Sequence, residues 1–157
     1  MSLLKINSVA PNFALLDDAG KKHELSDYKG RWVLLYFYPK DDTPGCTKEA
    51  CGLRDVFPDF EKINTVILGV STDSIESHRK FKEKYKLPFT LLSDFEKNVV
   101  KIYGVWQKEK FIGKEYESVA RKSFLIDPQG RIVKIYENVD PRSHPKDVFF
   151  DLLALQR

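Results

Sequence analysis

The sequence predicts an α/β fold: a mixed central sheet flanked by helices, with an N-terminal β-hairpin extension. Three observations lead there. Two continuous apolar, β-rich runs, Trp32–Phe37 and Thr65–Ser71, read as strands buried on both faces. Segments with apolar residues at helical spacing alternate with them. Towards the C-terminus, two extended arms are joined by the turn Asp127-Pro128-Gln129-Gly130, and a last amphipathic segment follows. Strands that first alternate with helices and then pair as a hairpin give a mixed sheet.

Taken in order, residues 11–16 read as extended, and residues 21–25 as the second arm of a hairpin turned at Asp18-Ala19-Gly20. Ser26 is placed to cap a short helical turn ended by Gly30. Pro39 closes the Trp32–Phe37 strand, and residues 41–45 form a loop. A helix begins near Cys46, with Ala50, Leu53, Phe57 and Phe60 on one face. After Thr65–Ser71, Asp73 or Ser74 starts a helix that runs to about Lys86, with Pro88 beyond it. Residues 89–92 are a short strand. Ser93 then caps a helix carrying Phe95, Val99, Ile102 and Tyr103, stopped by Gly104. Residues 108–117 are polar and read as a loop. Residues 120–126 and 131–136 are the hairpin strands. Pro145 suits the first position of a final helix whose apolar face is Val148, Phe149, Leu152 and Leu153. This order fits a thioredoxin-like fold with an N-terminal extension.

A chain of 157 residues is the size of one domain, and no repeat, linker or low-complexity segment divides residues 1–157. Apolar residues make up 42% and charged residues 31%, the balance of a globular protein with its own core. No run approaches the ~20 apolar residues that cross a membrane. The start, Met1-Ser2-Leu3-Leu4-Lys5, has neither the apolar stretch nor the cleavage site of a secretory signal, so the expected compartment is the cytoplasm. The formal charge of +3 is spread among interleaved acids and bases, as in Lys80-Phe81-Lys82-Glu83-Lys84, which reads as a solvated helix face and argues against a nucleic-acid partner.

The two cysteines, Cys46 and Cys51, narrow the chemistry. A reducing compartment argues against a purely structural disulfide. Their C-x4-C spacing is not the C-x-x-C of a thioredoxin-type pair. His23, His78 and His144 are scattered, so the four ligands of a structural zinc site are not assembled in sequence. Redox chemistry remains, beside the plainer reading of two core cysteines.

The context of Cys46 favours reactivity. In Pro39-Lys40-Asp41-Asp42-Thr43-Pro44-Gly45-Cys46-Thr47 a core strand ends, a tight loop follows, and the cysteine sits in the first turn of a helix. Free N–H groups and the helix dipole stabilise an anion there, and the anionic sulfur is the nucleophile. Pro44-Gly45 would let backbone approach the sulfur, Thr43 offers a hydroxyl to an oxygen substrate, and Pro39 can shield the pocket; ordinary turn chemistry explains the same residues. On an intact helix Cys46 and Cys51 lie roughly 8–9 Å apart on different faces, beyond the ~7 Å reach of a disulfide. They can bond only if the first turns unwind, which makes Cys51 a candidate resolving residue. Glu49, one turn on, shares the face of Cys46 and could organise an arginine, or simply suit the helix N-terminus. Arg121 stands at the start of a core strand, an unusual place for a cation; a surface position is its default reading.

At these residues the chain resembles the peroxiredoxins, whose P-x-x-x-T-x-x-C motif is matched by Pro39, Thr43 and Cys46. The run from Tyr36 through Cys51 is most similar to the peroxiredoxin Q, or bacterioferritin-comigratory, group. The likeness extends to Ala10-Pro11-Asn12-Phe13, Val70-Ser71-Thr72-Asp73-Ser74, Lys86-Leu87-Pro88-Phe89 and residues 121–127. The resemblance implies a thiol peroxidase that reduces hydrogen peroxide and organic hydroperoxides. Cys46 would be the peroxidatic cysteine and Cys51 the resolving one. Thr43 and Arg121 would bind peroxide and stabilise the thiolate, Pro39 would shield it, and Glu49 would orient arginines. Arg54 could be a second active-site arginine or a surface one. The implied reductant is thioredoxin or a glutaredoxin-like protein, and no metal, haem or flavin is required. The chain carries no Gly-Gly-Leu-Gly segment and no C-terminal Tyr-Phe helix, features of the overoxidation-prone dimeric relatives, so resolution within one chain and a monomer or weak homodimer are expected. A thiol–disulfide oxidoreductase, a bacterioferritin-like helper and a non-catalytic redox sensor are the rival readings. The missing C-x-x-C opposes the first and the absence of iron-ligand carboxylates the second; catalytic turnover separates the third.

Overall fold

In the computed structural model, which describes residues 4–157, the chain runs β1 (Ala14–Asp17), β2 (Lys22–Glu24), a 3₁₀ turn (Leu25–Tyr28), β3 (Trp32–Phe37), α1 (Pro44–Lys62), β4 (Thr65–Ser71), α2 (Ile75–Tyr85), β5 (Thr90–Ser93), α3 (Asn98–Ile102), β6 (Trp106–Phe111), β7 (Lys114–Val119), β8 (Lys122–Ile126), β9 (Ile132–Tyr136) and α4 (His144–Leu155). Seven strands form one sheet in the order β2-β1-β5-β4-β3-β8-β9, and β6 and β7 stand apart as a ribbon. β3, β4 and β5 are parallel, as strands joined through helices must be, while β1, β2, β8 and β9 pair antiparallel. The sheet is mixed, as predicted.

The twofold alternation of β3 divides the interior. Val33, Leu35 and Phe37 join Val99, Val100 and Tyr103 on one face. Leu34, Tyr36 and the following Tyr38 face the other way, against Ala50, Leu53 and Phe60 of α1, Phe81 of α2, and Val148 and Leu152 of α4. α1 therefore starts just beyond the C-terminal end of the central parallel strands, where open α/β sheets place their sites. Among the described residues no helix is long and apolar enough to cross a membrane.

The structure corrects the sequence reading in several places. Residues 108–117 are not a loop: Phe111 pairs with Lys114 across a tight Ile112-Gly113 turn, both residues having positive φ (49° and 72°). Such mirror-image turns match the twist of a hairpin. The ribbon has largely exposed faces, so no apolar alternation announced it. Ser93 ends β5 instead of capping a helix; the Asp94 carboxylate accepts the Val100 N–H at 2.7 Å. The helix that follows is short, and Phe95 and Ile102 point to solvent. Ser26 lies inside its 3₁₀ turn, which begins after Glu24, where the Asp27 carboxylate accepts the Glu24 N–H. Arg121 immediately precedes β8 and is not part of it.

Candidate active site

Pro44 opens α1, so Cys46 is its third residue. Thr43 is the N-cap, yet its side chain makes no capping hydrogen bond; its hydroxyl donates instead to the Lys40 carbonyl at 2.9 Å. The first-turn N–H groups of Gly45 and Cys46 are thus free of a capping side chain, and the Thr43 oxygen keeps its lone pairs for another donor. Cys46 is 2% exposed and packs with Tyr36, Ala50 and Leu53.

One sequence-predicted residue, Arg121, meets the sulfur and ties it to a second, Glu49. Arg121 donates through Nη2 to Cys46 Sγ at 3.4 Å and through Nη1 to Glu49 Oε1 at 2.9 Å. Helical spacing puts Cys46 and Glu49 on one face, and the guanidinium fork spans them. Burial works against the Arg121 charge, but the Cys46 sulfur and the Glu49 carboxylate outweigh it, so the guanidinium is held above its usual range. Glu49 is wholly buried, and burial pushes its pKa up to about 7 in spite of Arg121, which pulls it down. The pair is lopsided: Arg121 keeps its charge, and Glu49 gives its charge up near neutrality.

Gly45 has a different purpose from the one expected. A Cβ there would lie 2.9 Å from Arg121 Nη2 and 3.8 Å from Pro141 Cγ, so the glycine makes room for the guanidinium. Pro39 is half-buried between β3 and the loop. Arg54 is outside the site: its Nη1 donates to the Tyr85 carbonyl at the end of α2, and its Nε to Asp55. Cys51 is half-exposed on another face of α1, in an open cleft of about 600 Å³ that it shares with Thr43, Thr47, Gly52 and Arg142. Both cysteines are free of disulfide bonds, and α1 is intact through them.

Sequence reasoning missed the clamp on the loop before Cys46. Asp41 is buried and accepts from Tyr38 Oη (2.6 Å) and Ser77 Oγ (2.8 Å), with His78 Nδ1 at 2.7 Å. His78 Nε2 donates to the Leu92 carbonyl, which can only accept, and Nδ1 faces the Asp41 carboxylate. The Asp41 N–H donates to Asp73, and Asp42, at φ 57°, accepts from Lys84 and Tyr85. Asp41, Asp73 and His78 form the one cluster of potential metal ligands among the described residues, with ligand atoms within 4.8 Å. Those atoms are engaged with one another and with Ser71, Ser77 and Tyr38, and they act as a fastening between the loop and α2. Two aspartates in a loop gave no sign of a histidine nearly 40 residues away.

Comparison with known proteins accords with this geometry. The AhpC/TSA family pattern matches residues 6–135. The Bacillus subtilis protein named peroxiredoxin Bcp is 48% identical over 141 residues, 90% of each chain. The Escherichia coli peroxiredoxin Bcp is 44% identical over 144 residues, 92% of each. Among solved structures, a cysteine-to-serine variant of the Xylella fastidiosa peroxiredoxin Q superposes with a TM-score of 0.94 over the full length of both chains at 34% identity. The Xanthomonas campestris bacterioferritin comigratory protein, studied for alkyl peroxide reduction, gives 0.88 over 92% of each at 33% identity. The chain belongs to the AhpC/TSA family and, within it, is a thiol peroxidase of the Bcp, or peroxiredoxin Q, kind.

Proposed function

We propose that Cys46 is the peroxidatic cysteine and Cys51 its resolving partner, acting on hydrogen peroxide and organic hydroperoxides. The observation that carries this reading is the Arg121 guanidinium, which touches both Cys46 Sγ and Glu49 at a helix N-terminus. A positive fork, free N–H groups and a dipole converge where a thiolate and a departing oxygen both carry negative charge. The thiolate attacks the hydroxyl oxygen of ROOH; the O–O bond breaks, the sulfur is oxidised to Cys46–SOH, and the departing RO⁻ takes a proton to give ROH. Thr43, its own proton engaged at Lys40, accepts from the substrate hydroxyl, and Pro39 screens the sulfur from water. The sulfenic acid then condenses with the Cys51 thiol, releasing water and forming a disulfide. A dithiol reductant, thioredoxin or a glutaredoxin-like protein, restores both thiols and leaves with the disulfide. The cysteines lie too far apart on an intact helix to bond, so resolution unwinds the first turns of α1. The whole cycle runs within residues 1–157 as one domain, in the cytoplasm, in a monomer or weak dimer.

A coupled assay with NADPH, thioredoxin reductase and thioredoxin tests this. Peroxide-dependent NADPH consumption is expected, and Cys46→Ser should abolish it. Cys51→Ser should keep one turnover and lose recycling. Full activity in Cys46→Ser would overturn the assignment.

A further inference from the structure

Among the described residues, two buried side-chain atoms have no hydrogen-bond partner: Tyr36 Oη and Glu49 Oε2. Buried polar atoms are nearly always paired, so two orphans in one cluster call for an explanation. Tyr36 belongs to the face of the sheet that α1 covers, and Glu49 to α1 itself, one turn after Cys46. Tyr36 points from β3 towards α1, in the cluster that holds Cys46 and Ala50. Among the charges acting on its phenol, Glu49 is the foremost and the Cys46 sulfur the next, after burial itself, which keeps the phenol protonated and therefore a donor.

The ring is held firmly. Gly69 of β4 is its register partner, and a Cβ on that glycine would lie 2.8 Å from the Tyr36 ring and 2.9 Å from Leu91. Tyr38 stacks at 5.4 Å and Phe89 meets the ring edge-on at 6.0 Å. Phenylalanine would fill that space equally well. Packing therefore accounts for the ring and leaves the hydroxyl unexplained, in a core position where an unpaired hydroxyl is costly.

We propose that Tyr36 is a positioning residue for the Cys46 chemistry: its hydroxyl reaches Glu49 Oε2 through one buried water and thereby holds the carboxylate that aims Arg121 at the sulfur. This rests on the peroxidatic role of Cys46. A water between two otherwise unpaired polar groups is a common structural element of protein interiors. The Arg121 fork satisfies Oε1 only, so the second oxygen needs its own donor to stay ionised. The ionisable groups around Glu49 are few. Arg121 lies ahead of β8, Tyr36 on β3 and Cys46 on α1 itself. Asp41 is tied to His78. His144, on α4, is bonded to Ser123 and kept neutral by burial, with Asp147 and Asp151 on its own helix. Only Arg121 acts on Glu49 as an opposing charge.

The test is Tyr36→Phe, which keeps the ring and removes the oxygen. In reduced protein labelled with ¹³C at glutamate carboxyls, the Glu49 resonance is expected to titrate near 7, and the variant should move that midpoint upward by about one pH unit. The rate constant of Cys46 with hydrogen peroxide should fall roughly five- to tenfold near neutral pH and converge with wild type in alkali, where Glu49 is ionised in both. In a Glu49→Gln background, Tyr36→Phe should change nothing further. An unmoved Glu49 midpoint overturns the proposal. So does a rate loss of equal size at every pH that persists in Glu49→Gln, or a moved midpoint without a change in rate. A wild-type protein inert towards peroxide would instead overturn the function proposed above, while the carboxyl titration would still report on the Tyr36–Glu49 link.

Discussion

At the scale of single residues, the site is a sulfur, a carboxylate and a guanidinium brought together by three different means. Cys46 and Glu49 share a helix face, and that relation was legible from their spacing. The link to Arg121 was not, because it depends on strand register: β8 runs antiparallel to β3 with Lys122 opposite Phe37, which brings residue 121 to the end of β3 beside the Cys46 loop. No local pattern encodes a register across some 85 residues of chain. Gly45 shows how little space the arrangement leaves. Gly45→Ala would put a methyl group 2.9 Å from Arg121 Nη2. We expect it to lower the rate constant of peroxide reduction by at least about tenfold, because displaced contacts in the reacting geometry are that costly, with little change in the urea midpoint. Arg121→Ala removes the fork itself and should cost on the order of a hundredfold in stopped-flow peroxidation, the usual loss for one donor to developing negative charge.

At the scale of elements, α1 is fastened at both ends of its reactive stretch. Upstream, Asp41 and Asp42 bind the loop to α2 through His78, Ser77, Lys84 and Tyr85. Downstream, a Cβ on Gly52 would lie 2.9 Å from Pro145 Cγ, so α4 sits directly on α1 there. The unwinding proposed to join Cys46 to Cys51 would therefore be confined between these two points. Hydrogen exchange should report it: on oxidation, amides of residues 47–51 should lose protection while those of residues 54–57 and 59–62 keep theirs. His78→Gln loosens the upstream fastening and should speed disulfide closure while slowing peroxide attack, which alkylation-quenched mass spectrometry separates. The long elements were legible because burial wrote a strong signal into them, a continuous apolar run in β3 and β4 and a helical period in α1. The β6–β7 ribbon, exposed on both faces, left none, and at α3 the carboxylate of Asp94 took the place assigned to Ser93.

At the scale of the whole molecule, two buried groups give opposite responses to acid. His144 at the start of α4 bonds Ser123 at 2.8 Å, and burial lowers its pKa from 6.5 to about 4. The unfolded chain protonates this histidine first, so its contribution is present above 6.5 and lost as pH falls towards 4, by about 3 kcal/mol. Glu49 is raised from 4.5 to about 7, so the native state takes up its proton first and gains stability as pH falls from 7 to 4.5. Urea midpoints measured at mildly alkaline and mildly acidic pH should show it: Glu49→Gln should make the protein more acid-sensitive than wild type, and His144→Gln less so. Residues 44–51 read Pro-Gly-Cys-Thr-Lys-Glu-Ala-Cys, without one large aliphatic or aromatic side chain. In the proposed cycle the enzyme undoes part of its own fold at every turnover, yet the ribbon it releases has nothing adhesive to offer a chaperone or a neighbouring chain. Repeated partial unfolding in a crowded, oxidising cell is then compatible with remaining in solution.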